Sequence, residues 1–146
     1  TFAITLTNTT HTEMSTATEH LPDEQPALRM LPMPRDLNAN GDIFGGWVMS
    51  QVDVAGSIAA MRRTRCRVVT VAVNSFVFLQ PITTQYLVSF YSRVARVGTT
   101  SITVDVDVYA ETGYDNVKIL KVASAQLTYV AVNEDGSKRL IAPEQS

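Results

Sequence analysis

Apolar positions along this chain follow two rhythms. From residue 67 onward the rhythm is that of strands. Residues 67–80 form a nearly continuous β-branched and aromatic run that Pro81 stops, and residues 86–97 form a second that ends at Val97-Gly98. Residues 101–111 alternate strictly, with Ile102, Val104, Val106 and Val108 on one face and Thr103, Asp105, Asp107 and Tyr109 on the other. That is the pattern of a strand with one dry face. Residues 117–132 make a fourth long strand after the Thr112-Gly113-Tyr114-Asp115-Asn116 turn. Upstream, Ala27 to Met33 is a shorter apolar run that Pro32 and Pro34 end, since proline has no donor for a strand ladder.

The helical rhythm lies between. Residues 35–46 are loop, marked by Asn40-Gly41 and Gly45-Gly46. Trp47 to Met61 then places Val48, Val52, Ala55 and Ala59 on one helical stripe and Val54, Ile58 and Met61 on another. Apolar residues on most of the circumference predict a helix buried on nearly all sides. Ala55, Gly56, Ser57, Ala59 and Ala60 are small enough for another backbone to approach, and Arg62, Arg63 and Arg65 suit the negative helix end. The order is strand, buried helix, then four antiparallel strands. It predicts an α+β fold, a five-stranded sheet wrapped on one helix. The alternation of Phe2, Ile4 and Leu6 leaves room for a sixth strand. One helix covers only part of such a sheet, so the free edge and remaining apolar surface predict a homodimer.

Composition narrows the picture. The chain has 146 residues, enough for one domain with a real core, placed at 27–146 after a Thr-rich tail over 1–26. A net charge of −2 gives no electrostatic case for nucleic acid or an anionic membrane. No apolar stretch reaches the roughly 18 residues of a membrane span, and no secretory leader is read at the N-terminus, so a cytoplasmic protein is expected. Cys66 is the single cysteine, and the only histidines, His11 and His20, precede the predicted domain. A His-dependent triad, a His base and a Cys/His metal site are therefore excluded from that domain. Catalysis would have to use carboxylates, hydroxyls, amides and backbone dipoles.

Asp53 is the leading candidate. It sits mid-helix with Met49, Ser50, Gly56 and Ser57 at its i±3 and i±4 positions, so no cation on its own helix neutralises it. Desolvated, such a carboxylate would be a better general base. The competing reading is a solvated stripe of Ser50, Asp53 and Ser57. Gly45 and Gly46 sit where the helix begins, and free N–H groups there favour an oxyanion; a simple turn is the plainer explanation. Seven or eight helical residues separate them from Asp53, roughly 11 Å along the axis. One carbonyl hardly reaches both on one chain, whereas antiparallel helices across a dimer axis bring one chain's Asp53 near the other's glycines. Asn38, Asn40 and Asp42 fit turn caps, though one of them, Asn38 first, could orient a water or an acyl carbonyl.

The segment Asn38-Ala39-Asn40-Gly41-Asp42-Ile43-Phe44-Gly45-Gly46-Trp47-Val48-Met49-Ser50-Gln51-Val52-Asp53 resembles the signature of YciA-like acyl-CoA thioesterases of the hot-dog fold. Val69-Thr70-Val71-Ala72-Val73, Phe78-Leu79-Gln80-Pro81-Ile82 and Arg96-Val97-Gly98-Thr99-Thr100-Ser101-Ile102 extend the similarity over about residues 28–142. Thr84-Gln85 and Asn74 depart from it, where Gly-Asp and an acidic residue are usual. The resemblance implies thioester hydrolysis without metal or bound cofactor, coenzyme A entering only as part of the substrate. It implies an active site shared in a dimer, with dimers often assembled as hexamers. Asp53 matches the catalytic carboxylate and Gly45 and Gly46 the oxyanion-binding helix start. For the anionic CoA end, Arg93, Arg96, Lys138 and Arg139 are candidates with Thr99, Thr100 and Ser101 as donors, against a plain reading of solvated surface for most of them. Two other classes compete. A non-catalytic acyl-CoA sensor would not need Asp53, and a hot-dog hydratase would need a domain histidine.

Overall fold

The computed structural model describes residues 19–144. Most of the expected tail, including the Phe2–Leu6 alternation, lies outside these residues. From residue 19 to 26 the chain runs without helix or strand, and the Glu19 N–H donates to the Ile119 carbonyl at 3.0 Å.

Strand β1 (Leu28–Met30), helix α1 (Gly45–Thr64) and strands β2 (Arg67–Phe78), β3 (Leu87–Val97), β4 (Ser101–Thr112) and β5 (Lys118–Val132) follow in chain order. The five strands form one antiparallel sheet in the order β1-β3-β4-β5-β2. The α+β layout is thus the expected one, with five strands. The alternation in β4 reads directly as structure: Ile102, Val104, Val106, Val108 and Ala110 are buried under α1 with Val88 and Phe90 of β3 and Val122, Ala125 and Leu127 of β5.

Several boundaries differ from expectation. The first strand is three residues long, not seven, because the prolines remove donors and turn the chain into a short 3-10 turn at Pro34–Asp36. The helix begins at Gly45 rather than Trp47, so both glycines lie inside its first turn, where no i−4 bond is required of them. It runs past Met61 to Thr64, whose hydroxyl donates back to the Ala60 carbonyl, and stops where Arg65 takes a left-handed φ of 56°. The turn before β3 closes with Tyr86 N–H on the Thr83 carbonyl and no positive φ at Thr84 or Gln85, so it forms without glycine.

The helix is not buried all round. Val48, Val52, Ala55, Gly56 and Ala60 face the sheet, while Val54 and Met61 stay more than two-fifths exposed. The approach at Gly56 is also not by a backbone. It is the ring of Tyr129, from β5, that fills the space a Cβ would take. Edge strand β2 leaves Val69, Val71, Val73 and Val77 exposed. Among the described residues β5 is its only neighbour in the sheet, so its second backbone ladder has no strand partner there. Apolar residues around the helix therefore divide into a set packed on the sheet and a set left exposed in the single chain.

Candidate active site

Asp53 lies at the middle of α1, on the border between its buried and open sides, and is half-buried. With Gly46, Met49 and Ser50 it forms one wall of a cleft of about 360 Å³. Thr70, Val73 and Phe76 of β2 and Leu127 of β5 form the other. Strict alternation would not put Thr70, Val73 and Phe76 on one face. Register shifts between Thr70 and Ala72 and between Val73 and Ser75 do so, each adding a residue to β2 relative to β5.

The two carboxylate oxygens of Asp53 have different surroundings. Oδ1 accepts the Thr70 hydroxyl at 2.7 Å and lies 3.1 Å from the Tyr129 hydroxyl, which is also 2.8 Å from the Asp53 backbone oxygen. Oδ2 has no hydrogen-bond partner among the described residues. No Lys or Arg is paired with the carboxylate. Burial, then the neighbouring Asp53 charge, raises the pKa of Tyr129 well above its usual value, so its hydroxyl keeps its proton and acts as donor. A carboxylate that lines a cleft with one oxygen held and the other unpartnered can accept a proton from water or attack an electrophilic carbon.

The helix start faces the same cleft. Phe44, the residue before α1, provides no side-chain cap. Trp47 and Val48 N–H donate to the Phe44 carbonyl, while the N–H groups of Gly45 and Gly46 have no partner among the described residues. A Cβ built on Gly46 would meet nothing within 4 Å, so packing within the protomer does not explain this glycine. Gly46 and Asp53 line one cleft but remain seven residues apart, roughly 10 Å of helix.

Asn38 has a definite local task. Its Oδ1 accepts the N–H groups of Asn40 at 2.9 Å and Asp42 at 3.2 Å, fixing the loop before α1, and it is not among the residues lining the cleft. Thr99, Ser101 and Arg139 are brought to one corner. Ile141 N–H bonds the Thr99 carbonyl, Ala131 N–H that of Thr100, and Arg139 N–H that of Ala131. Ala131 is two residues beyond Tyr129 on β5, ~7 Å along the strand. Arg96 lies exposed on the strand leading into this corner, and neither it nor Arg139 has an ion-pair partner among the described residues. Arg93 is elsewhere. It sits on the sheet face opposite α1, at 3.3 Å from Asp107, which also takes Lys121 at 3.2 Å. Asn74, at the second register shift, donates to Gln126 and Thr128.

Thr70 and the hydroxyl of Tyr129 are the functional groups that sequence reading did not single out. Thr70 carried one signal, a polar residue inside the apolar run Val68-Val69-Thr70-Val71. Tyr129 reads as a core aromatic, which its ring is; Phe90 and Tyr91 are buried likewise. Of the aromatics flanking the helix start, Trp47 packs on Phe90 with centroids 6.3 Å apart, and Phe44 is exposed.

Comparison with known proteins agrees with this geometry. Residues 40–116 match the thioesterase superfamily. The Escherichia coli acyl-CoA thioester hydrolase YciA is 41% identical over 133 residues, covering 90% of this chain and all of the relative. A hexameric hotdog fold thioesterase of Campylobacter jejuni superposes with a TM-score of 0.79 at 42% identity, covering 82% of this chain and 91% of that one. A hexameric thioesterase from Yersinia pestis gives 0.79 at 40% identity, covering 84% and 100%.

Proposed function

The chain belongs to the thioesterase superfamily, among the YciA-like acyl-CoA thioester hydrolases, and from that premise we propose that it hydrolyses acyl-CoA to the free acid and CoA at a site shared by two chains. The observation that carries the proposal is the Asp53 carboxylate, anchored through Oδ1 with no partner at Oδ2, lining a cleft on a helix whose own N–H-bearing start lies too far along the axis for one carbonyl to touch both. In one course, Asp53 takes a proton from a water that adds to the thioester carbonyl carbon. The C–S bond then breaks, and CoA leaves as a thiolate that picks up a proton. In the other, Asp53 attacks the carbonyl carbon, the C–S bond breaks to release CoA as a thiolate that picks up a proton, and water hydrolyses the resulting mixed anhydride to the free acid and the Asp53 carboxylate. Both place negative charge on the carbonyl oxygen, which the N–H groups of the partner's Gly45 and Gly46 would hold. The residue spacing along α1 supports this division between chains, because one helix cannot fold its start onto its middle.

Arg96, Arg139, Thr99 and Ser101 would hold the phosphate-bearing end of CoA. Arg93, engaged by Asp107 on the far face, is the weakest member of that set. The open valines of β2 and the exposed Val54 and Met61 support a homodimer. The hexameric relatives support a trimer of such dimers. The chemistry draws on a carboxylate and backbone N–H groups, so it requires no resident cofactor or metal. We place the reaction in the cytoplasm, with acyl-CoA and further copies of the chain as partners and no role for nucleic acid. No helix among the described residues is long and apolar enough to cross a membrane. The test is thiol release from acyl-CoA across acyl lengths. Release above the uncatalysed rate supports the reading, and none at any length refutes it.

A further inference from the structure

Tyr129 is bonded to Asp53 in a way that the burial of a hydroxyl does not by itself require. Its side chain is fully buried, and a buried hydroxyl needs one partner. The Asp53 carbonyl at 2.8 Å supplies that partner. Yet the same hydroxyl also lies 3.1 Å from Oδ1, the oxygen that Thr70 holds from the opposite strand at 2.7 Å.

The hydroxyl reaches this point only because of Gly56. A Cβ at residue 56 would collide with the Tyr129 hydroxyl and lie 3.0 Å from its Cζ and 3.2 Å from its Cε2. Glycine in mid-helix is a destabilising choice, and here it opens the slot through which the ring passes. The hydroxyl proton is shared between two acceptors of one residue, its carbonyl and its carboxylate. That arrangement ties the Asp53 side chain to its own backbone and restricts χ1.

We propose, resting on the acyl-CoA hydrolase reading above, that Tyr129 is a positioning residue: through the slot left by Gly56 it clamps Asp53 so that one carboxylate oxygen is held and the other is presented to the cleft. Thr70 completes the clamp from β2. Tyr129 touches no substrate in this scheme and acts only through Asp53. Its raised pKa agrees with a permanent donor rather than a proton shuttle.

The test is a kinetic cycle of Tyr129→Phe, Asp53→Asn and the double variant, using thiol release from acyl-CoA. Phenylalanine keeps the ring and removes only the shared bonds. Tyr129→Phe should assemble as wild type, lose about tenfold in kcat, as expected for a lost bond to a charged group, and keep KM within about twofold. In the Asp53→Asn background the same change should alter the residual rate by less than about twofold, since the group it acts through is gone. Gly56→Ala should impair the enzyme more than Tyr129→Phe does, and adding Tyr129→Phe should restore part of its activity by removing the hydroxyl, the atom the new methyl group meets first. Wild-type kcat in folded Tyr129→Phe, or an equal loss in both backgrounds, overturns the proposal. If the wild type releases no thiol, the hydrolase reading fails instead. The clamp is then read from the same cycle in Tm, where additive effects of Tyr129→Phe and Asp53→Asn overturn it.

Discussion

The two sides of α1 carry similar apolar residues and meet different fates. Toward β3, β4 and β5, Val48, Val52 and Ala55 close against a valine-lined sheet and are fully or almost fully buried. Away from the sheet, Val54 and Met61 stay open, and the valines of edge strand β2 are open too. The first side is complete in one chain and contains no charged group. The second is open, and Asp53, Thr70 and Gly46 line the cleft between it and β2. Packing is concentrated on one side of the helix and the proposed chemistry on the other, which is the arrangement expected of a site that a second chain finishes.

The largest expected effect separates chemistry from packing. Asp53→Asn is nearly isosteric and keeps an oxygen to accept from Thr70, so fold and assembly should persist. It removes the proton acceptor, and kcat should fall by about 10² to 10⁴, the usual range for a general base. A solvated, non-catalytic Asp53 would give no kinetic change.

The second contrast is between the sides themselves. Val71→Asp puts a charge on the open edge of β2, where Val71 is 55% exposed. It should convert the assembly to monomer at micromolar concentration by sedimentation, with activity falling in step with the dimer fraction. Val106→Ala, on the completed side, should leave assembly intact and cost about 2 kcal/mol of stability in denaturant unfolding. Equal behaviour of the two variants would erase the distinction.

Gly46→Ala sharpens it further. Nothing in the protomer would touch the new methyl group. Helix propensity alone predicts stability unchanged or raised by up to about 1 kcal/mol. Activity should nevertheless fall by about tenfold, because the methyl occupies the side reserved for the substrate and the partner chain. A simple turn glycine would show the stability gain and no loss of rate.

The smallest effect concerns the CoA end. Arg139→Ala should raise KM about three- to tenfold with kcat little changed, the mark of binding that is equal in ground and transition states. Arg93→Ala, already paired with Asp107 on the opposite face, should leave KM unchanged. The reverse result would move the phosphate site to the far side of the sheet.

What could be read from the sequence follows the same division. The alternation in β4 is decisive because one face is dry and the other wet, and both neighbours in the sheet confirm it. Asp53 stands out because none of its i±3 and i±4 neighbours, Met49, Ser50, Gly56 and Ser57, is a cation. The helix boundaries did not show, since glycines in a first turn look like loop until their dihedrals are known. The cleft wall on β2 was hidden by the two register shifts that align Thr70, Val73 and Phe76. The partners of Asp53 were hidden by distance in sequence, 17 residues for Thr70 and 76 for Tyr129. Asn38 shows the ambiguity of short polar residues. Its pattern fits a turn cap as well as a substrate contact, and the observed bonds of its Oδ1 are those of a cap.

The central claim is that each site takes Asp53 from one chain and the glycine helix start from the other. Mixed dimers test it most directly. Asp53→Asn and Gly46→Val chains, each nearly inactive alone, are co-expressed with different tags and isolated as the mixed species. Each mixed dimer then holds one site with an intact Asp53 opposite an intact Gly46, and one site with both altered. Thiol release should recover to about half the wild-type rate per dimer, following from the count of intact sites under the two-chain geometry. A mixed dimer that assembles fully and stays as inactive as its parents would contradict the account.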